Sequence, residues 1–375
     1  MVRFPPEVVS PPFGGGTDMS TKIRLGFVGC GHMGQVAHIR NYARLANECE
    51  LVALTDLRSE LAKKVAARYG IREVYPDHKT LLAKADVDAV VAIMYYGHHY
   101  AVVPDVLSAG KHLLTEKPMG CRASAAREWK AIADGKGVVY LVGYMKRWDV
   151  GSRYVADLIR QWKASGEYGK LTYLRCTMSG TDWTWNPAPP ISSSEKPVVP
   201  LPPTEPFPAN LSKAEADFYN MNINFYVHQV NLIRFLLGED YRLTYTHPGG
   251  KVLLATTASG TAISLEMGLS SLPQTWDEVY HVAFEKADIE LRIPAPLRDQ
   301  QNADVLIRRT VGSMYETVRP NFSVPSWSFF EQAKGFLQCI RDGKAPFDST
   351  GEAVRDLEIF EEQVALMKSV GAKIG

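Results

Sequence analysis

Between Lys22 and Gly34 the chain reads Lys-Ile-Arg-Leu-Gly-Phe-Val-Gly-Cys-Gly-His-Met-Gly, an apolar run that ends in glycines spaced G-x-G-x-x-G. Ile23, Leu25, Phe27 and Val28 form the near-continuous hydrophobic stretch expected of a strand buried on both faces of a parallel sheet. Gly29 would allow the tight turn, Gly31 the approach of a ligand to bare backbone, and Gly34 close packing of a following helix on the strand. A helix starting near His32 would aim its free N–H groups at an anion in that turn. Alone, such a turn fits an ordinary strand-to-helix junction equally well. A second strand, Glu50 to Thr55, ends in Asp56, roughly 20 residues past the last glycine, where a carboxylate can hold ribose hydroxyls. Together the two features predict a dinucleotide site built from Gly29, Cys30, Gly31, His32, Met33, Gly34 and Asp56. Asp56 would repel a ribose phosphate and so favours NAD, while Arg58 keeps NADP open as the lesser alternative.

With 375 residues, 46% of them hydrophobic, and a net charge of +1, the chain can bury a large core and is expected to form two domains. Balanced charge gives no electrostatic footprint for nucleic acid and no basic face for a membrane. The five cysteines, Cys30, Cys49, Cys121, Cys176 and Cys339, are scattered and never paired as C-x-x-C, so neither a disulfide framework nor a metal site is expected. A reducing cytoplasm fits that pattern. Neither an apolar run of membrane-spanning length nor a signal-peptide pattern is found, so secretion is not expected.

Residues 1–21 are rich in proline and glycine and have little to bury; they read as a disordered tail or as an arm laid along this or a neighbouring subunit. From residue 22 to about 148, strand candidates (Glu50 to Thr55, Asp88 to Met94, Lys111 to Thr115, Val138 to Val142) alternate with helical stretches such as Ser59 to Arg68 and Ala123 to Ala133, the pattern of a doubly wound α/β domain. Ligands of such sheets lie beyond the carboxyl ends of the strands, which directs attention to Tyr95 to His99, Glu116 to Pro118 and Tyr144 to Trp148. Pro104 is expected to delay the next helix to about Val103 or to kink it. His98 reads as structural or solvated. Lys117, held extended by the proline after it, would be presented rigidly at the sheet edge.

The glycine turn, His99 ahead of Ala109-Gly110-Lys111-His112, Glu116-Lys117-Pro118, and Val142 to Asp149 (Val-Gly-Tyr-Met-Lys-Arg-Trp-Asp) together resemble the Gfo/Idh/MocA oxidoreductase family over nearly the whole chain from Lys22. The resemblance implies an N-terminal Rossmann domain that binds NAD or NADP and activity on sugars, inositols or their derivatives. It implies a catalytic or substrate-orienting role for Lys117, cofactor contacts from Tyr95 and Glu116, and substrate contacts from Tyr96, His99, Lys146 and Arg147. Met94-Tyr95-Tyr96 departs from the Thr-Pro-Asn that many members carry after the fourth strand.

Residues 149–375 are expected to form an α+β substrate-binding and oligomerisation domain. An amphipathic helix from Asp149 to Ala164 leads to a strand, Leu171 to Met178. Residues 180–210, dense in proline, read as an extended lid or arm in which Trp183 and Trp185 either stack on a sugar or pin the loop. Asn220 to Gly238 reads as one helix capped by asparagines, placing Asn224, His228 and Asn231 on one face. In the family that helix carries Asp-x-x-x-His; His228 matches the histidine, and Asn224 stands in place of the aspartate. From Arg242 onward, short segments predict an antiparallel meander, followed by closing helices at Ser328 to Ile340 and Gly351 to Val370 that return to the first domain; the resemblance implies that the open face of this sheet joins subunits into a homo-oligomer.

By that resemblance the expected chemistry is oxidation of a secondary hydroxyl of a pyranose or glycoside, at C3 as first choice, by a nicotinamide cofactor that is either released each turnover or retained. His228, with an ordinary pKa near 6.5, is expected as general base, and Lys117, near 10.4, as orienting donor, the reverse assignment staying open. Inositol oxidation, a redox-neutral glycoside cleavage and a nucleotide-sensing regulator are the alternatives.

Overall fold

The structure is a computed structural model that describes residues 21–179, 183, 189–197, 201–268, 276–322, 324–345, 347 and 349–371. The N-terminal arm, apart from Thr21, and Trp185 lie outside the described residues. Six strands, β1 (Ile23–Val28), β2 (Cys49–Thr55), β3 (Glu73–Tyr75), β4 (Ala89–Ala92), β5 (His112–Glu116) and β6 (Tyr140–Gly143), pair in parallel in the order β3-β2-β1-β4-β5-β6. Their side chains are sandwiched on both faces, which is why the strands read as unbroken apolar runs: Leu25, Phe27, Val90, Val91 and Leu114 are fully buried. Connections α1 (Arg40–Arg44), α2 (Ser59–Tyr69), α3 (His78–Lys84), α4 (His99–Ser108) and α5 (Ala123–Lys136) run between the strands. Strand order reverses between β1 and β4, opening a crevice at their carboxyl ends.

Strand β3 and helix α3 are absent from the sequence reading because three and seven residues are too few to set a period. Pro104 does not delay α4, which begins at His99 and runs through the proline. The carbonyl that loses its partner is that of Tyr100, a residue 43% exposed, where water can replace the missing donor.

The second sheet has eight strands: β7 (Leu171–Met178), β8 (Tyr241–Thr246), β9 (Val252–Thr257), β10 (Ala262–Met267), β11 (Glu278–Phe284), β12 (Ala287–Ile293), β13 (Asp304–Val311) and β14 (Met314–Val318). Their order is β14-β13-β12-β11-β7-β10-β9-β8. The expected meander is therefore interrupted: β7 inserts between β10 and β11, parallel to β10. Strict alternation of buried and half-exposed residues along β11 and β12 marks one covered and one open face. On the covered face, Leu174, Cys176, Tyr280 and Val282 share a core with Ile159 and Trp162 of α6 (Val150–Ser165) and with Val230 of α8 (Val227–Leu237).

The helix expected from Asn220 to Gly238 is two helices, α7 (Lys213–Phe225) and α8, broken at Tyr226, whose φ of −103° and ψ of 0° leave the helical region. Its start is set not by asparagines but by a capping box, Ser212 with Glu215. Finally α9 (Ser328–Asp342) and α10 (Ser349–Ser369) fold back on the first sheet. Phe336 and Leu337 of α9 enter the core formed by Leu25, Phe27 and Tyr42, and Ser349 Oγ accepts a hydrogen bond from Val142 N of β6 at 3.0 Å.

Candidate functional site

The crevice between β1 and β4 opens into a cavity of about 1070 Å³ that reaches from the glycine turn to α7 and α8. Its floor is set by backbone geometry. Gly29 has φ +94°, and a Cβ there would lie 2.1 Å from Ile93 O; a Cβ on Gly34 would lie 2.7 Å from Gly29 O. Only glycine allows β1, β4 and the next helix to pack so closely. Gly31, by contrast, faces the cavity, with only the tip of Arg58 at 3.4 Å from where a Cβ would stand. Bare backbone followed by helical His32 and Met33 is a cradle that fits a pyrophosphate, so the residues present suit a dinucleotide. That helix continues through a π-helical stretch, Gly34–Ile39, from which Gln35 and His38 turn inward.

Beyond β2, Asp56 accepts hydrogen bonds from Cys30 N at 2.9 Å and from Arg58 N at 3.0 Å and Nε at 2.9 Å. Burial would raise its pKa, yet the Arg58 guanidinium and the two amides outweigh that and hold the carboxylate below its ordinary range. Asp56 is thus a fixed anion at the ribose end.

At the opposite end, β5 delivers Glu116 and Lys117. Glu116 Oε1 pairs with His38 Nε2 at 2.8 Å. Although burial opposes ionisation, the His38 hydrogen bond keeps Glu116 below the usual carboxylate range. Lys117 Nζ donates to the carbonyl oxygen of Asn224 at 2.5 Å. That carbonyl is free because α7 ends at Phe225: the break at Tyr226 removes the amide that would have continued the ladder, and the lysine takes its place. Burial, opposed by Glu116 and reinforced by the charge of Lys146, brings Lys117 down to about 8. His228 enters the cavity from the start of α8, ring edge against Tyr144 at 6.2 Å, with Nδ1 buried and unpartnered. Burial, then the charges of Lys146 and Lys117, hold it well below its ordinary pKa, so it is a neutral imidazole at physiological pH. The cavity therefore brings together a neutral histidine and a lysine that changes charge near neutrality.

Of the residues expected here, Gly29, Gly31, His32, Met33, Gly34, Asp56, Arg58, Tyr95, Tyr96, Glu116, Lys117, Trp183, Asn224 and His228 line the cavity. Four others do not. Cys30 turns its side chain into the core and contributes only its amide. His99 is fully buried beneath the site, its Nδ1 against Met119 O at 3.0 Å and its pKa lowered by burial to about 4, whereas His98, read as structural or solvated, lines the cavity. Arg147 points away, to Asn231 O and Glu352. Lys146 lies behind the wall, paired with buried Glu278 at 2.5 Å under the ring of Trp276. Asn231 leaves the shared face as well, donating to Asp356 at 2.7 Å. Trp183 meets His32 edge-on at 6.2 Å, beside the glycine turn.

Sequence reasoning missed His38, Gln35, Trp276 and the ties of the proline-rich segment. Gln35 Nε2 donates to Cys30 O at 2.8 Å and Ile191 O at 3.1 Å, and its Oε1 accepts from Ile191 N at 2.8 Å. Glu195 Oε2 accepts from Leu61 N at 3.1 Å, and Glu205 Oε2 from Cys121 N at 2.8 Å. The described residues of the segment, 189–197 and 201–210, form a strap across the carboxyl edge of the first sheet. Of these signals, only the polar pair Gln35 and His38 in an otherwise apolar helical stretch was available in the sequence.

Residues 23–144 match the model of an oxidoreductase family with an NAD-binding Rossmann fold. The chain is 29% identical over 264 residues to an inositol 2-dehydrogenase of Burkholderia lata, covering 65% of this chain and 67% of the relative. It superposes with a TM-score of 0.73 on a putative NADPH-dependent oxidoreductase from Desulfitobacterium hafniense, at 15% identity over 93% of this chain and 96% of that one. For an aldose–aldose oxidoreductase from Caulobacter crescentus the TM-score is 0.68 at 17% identity, over 93% and 98% of the two chains. Rossmann crevice, eight-stranded companion sheet and these likenesses agree: residues 23–144 match the Gfo/Idh/MocA NAD-binding domain, and the chain is similar to oxidoreductases that act on CH–OH groups.

Proposed function

We propose that this oxidoreductase takes hydride from a secondary hydroxyl-bearing carbon of a pyranose sugar or glycoside, C3 being the first carbon to test, with NAD as acceptor. The observation that carries the reading is the convergence of Lys117 and His228 on one cavity whose other end is the glycine turn with Asp56. When bound, the oxidised nicotinamide supplies the hydride acceptor. The protein must then receive the hydroxyl proton as the carbonyl forms. His228 is a poor acceptor, because an imidazolium there would stand buried near two ammonium groups. Lys117, at about 8, is present in part as the free amine and can take the proton at Nζ while Asn224 O orients it. We therefore assign Lys117 as base and His228 as the neutral partner that fixes the hydroxyl, the reverse of the division first expected from ordinary pKa values. Glu116, held by His38, offsets the charge on Lys117 after transfer.

An inositol is the second candidate, favoured by the inositol 2-dehydrogenase relatives, whose match extends over two thirds of their length. The open face of the eight-stranded sheet is proposed to join copies into a homo-oligomer. No described helix is long and apolar enough to cross a membrane, and the five cysteines are free and buried. Cytoplasmic residence is proposed to go with those thiols. Purified protein given NAD and a panel of pyranosides, aryl glycosides and inositols should raise absorbance at the wavelength of reduced nicotinamide with one of these classes. Release of free sugar without that signal would favour redox-neutral cleavage, and silence with the whole panel would reject the proposal.

A further inference from the structure

Helix α2 begins beside the ribose end of the site, immediately after Asp56 and Arg58, and its first amides point outward as every helix start does. In this chain those amides are already occupied. The Glu195 carboxylate, delivered by the strap from 135 positions away, receives Glu60 N at 3.2 and 3.1 Å on its two oxygens and Leu61 N at 3.1 Å. Of the cations at this end, Lys63 pairs with Glu60 at 2.7 Å, and the Arg58 guanidinium, which lines the cavity, is held by Asp56 along its Nε and one terminal nitrogen; Glu195 acts electrostatically on both. Asp56, Arg58 and Glu195 together carry a formal charge of −1 where an adenosine ribose would lie.

A helix start with free amides and an arginine beside it would be a good site for a phosphate on the ribose 2′ position. We propose that Glu195 closes that latent site: it fills the amide cradle of α2 with a carboxylate from the strap, so that a cofactor with a free 2′-hydroxyl is accepted and one with a 2′-phosphate is refused. Glu195 is in this view a specificity residue that no fingerprint in the first domain encodes, since it comes from the proline-rich segment of the second. With Glu195 so placed, an arginine two residues after the acidic one, ordinarily an invitation to a ribose phosphate, would not serve as one. The inference rests on the dinucleotide reading of the cavity and extends it to the choice between NAD and NADP.

The test is calorimetric binding of NAD, NADP, 5′-AMP and adenosine 2′,5′-bisphosphate to the full chain, which needs no turnover. In Glu195→Gln the amide oxygen can still cap α2 while the charge is gone. NADP and the bisphosphate should then bind at least about tenfold more tightly than to the wild type, with NAD and AMP changed less than about threefold. Glu195→Ala, which also frees the amides, should gain more for the phosphorylated ligands. Normal NAD binding with no gain for NADP or the bisphosphate in either variant would overturn the inference alone. Failure of the wild type to bind any of the four would overturn the dinucleotide reading together with it.

Discussion

The charge of a single ammonium decides the chemistry proposed for this cavity. With Lys117 at about 8, the amine is the reactive form, so oxidation at limiting substrate should fall as pH drops below about 8. Lys117→Met should cost about 10²–10⁴-fold in kcat, the usual weight of a positioned base. His228→Ala should lower the rate but leave the limb in place, because His228 is neutral throughout that range. Asn224→Asp places a carboxylate on the residue whose carbonyl already holds Nζ, so it should raise the lysine pKa and move the limb upward. A limb below pH 6.5 that vanishes in His228→Ala would return the base to the histidine. Lys117 and His228 were legible as residues, one from Glu116-Lys117-Pro118 and the other from its place four positions after Asn224. Their electrostatics were not, since after burial the strongest influence on His228 is the charge of Lys146, 82 positions earlier and hidden behind the cavity wall. Reference pKa values, with no burial to correct them, favour His228 where the buried site favours the lysine proposed above.

At the scale of the element, the strap and the broken helix carry what the sequence could not. Proline density announced an irregular segment, and that much was readable. What the segment grips was not, because each anchor is a tertiary contact: Ile191 to Gln35, Glu195 to α2, Glu205 to the turn after Lys117-Pro118. The helix break at Tyr226 escaped for a different reason, as nothing in Asn-Phe-Tyr-Val-His forbids a helix and the packing of Lys117 under the freed carbonyl helps to hold it open. Trp183, expected to touch substrate, stands against His32 over the glycine turn. Trp183→Ala should accordingly weaken dinucleotide binding several-fold, as measured by fluorescence or calorimetry; a change confined to the substrate constant would put the ring back at the sugar. Glu205 gives the strap a pH dependence. It is 3% exposed, and burial pushes its carboxyl up to about 7 from 4.5, so the folded chain binds more protons than the unfolded one between those values. Stability from this group is present in mild acid and is lost as pH rises through about 7. Glu205→Gln keeps an oxygen for Cys121 N without the buried charge, and should stabilise the protein by on the order of 2 kcal/mol at pH 8, the advantage fading toward pH 5 in thermal melts. Arg122 Nε lies 3.4 Å from Glu205 Oε1, and a uniform loss at both pH values would show that this ion pair matters more than desolvation.

For the whole molecule, the return of α9 and α10 ties the later half of the chain to the first sheet. The sequence announced both helices to within a few residues, since each has an apolar stripe and a clear stop. Their docking partner was less readable, because an apolar face does not name the surface that covers it. The structure makes the partner specific at one point: a Cβ on Gly335 would lie 1.9 Å from the Trp148 ring, and that ring is 2% exposed, hemmed in by its own core. A helix interior usually prefers alanine to glycine by roughly 1 kcal/mol, so an unpacked helix would gain from Gly335→Ala. Here overpacking dominates. The substitution must push α9 off the turn after β6 or force the indole from its rotamer, a cost of about 1–3 kcal/mol before the propensity gain is subtracted. Because Phe336 and Leu337 of the same helix sit in the core of β1, loosening α9 loosens the floor of the cofactor crevice as well. Gly335→Ala should therefore lower the thermal midpoint and weaken NAD binding together, with saturating NAD recovering part of the lost stability in proportion to ln(1 + [NAD]/Kd). A higher midpoint with unchanged NAD affinity would mean that α9 is not wedged against Trp148 and that the two halves communicate through the strap alone.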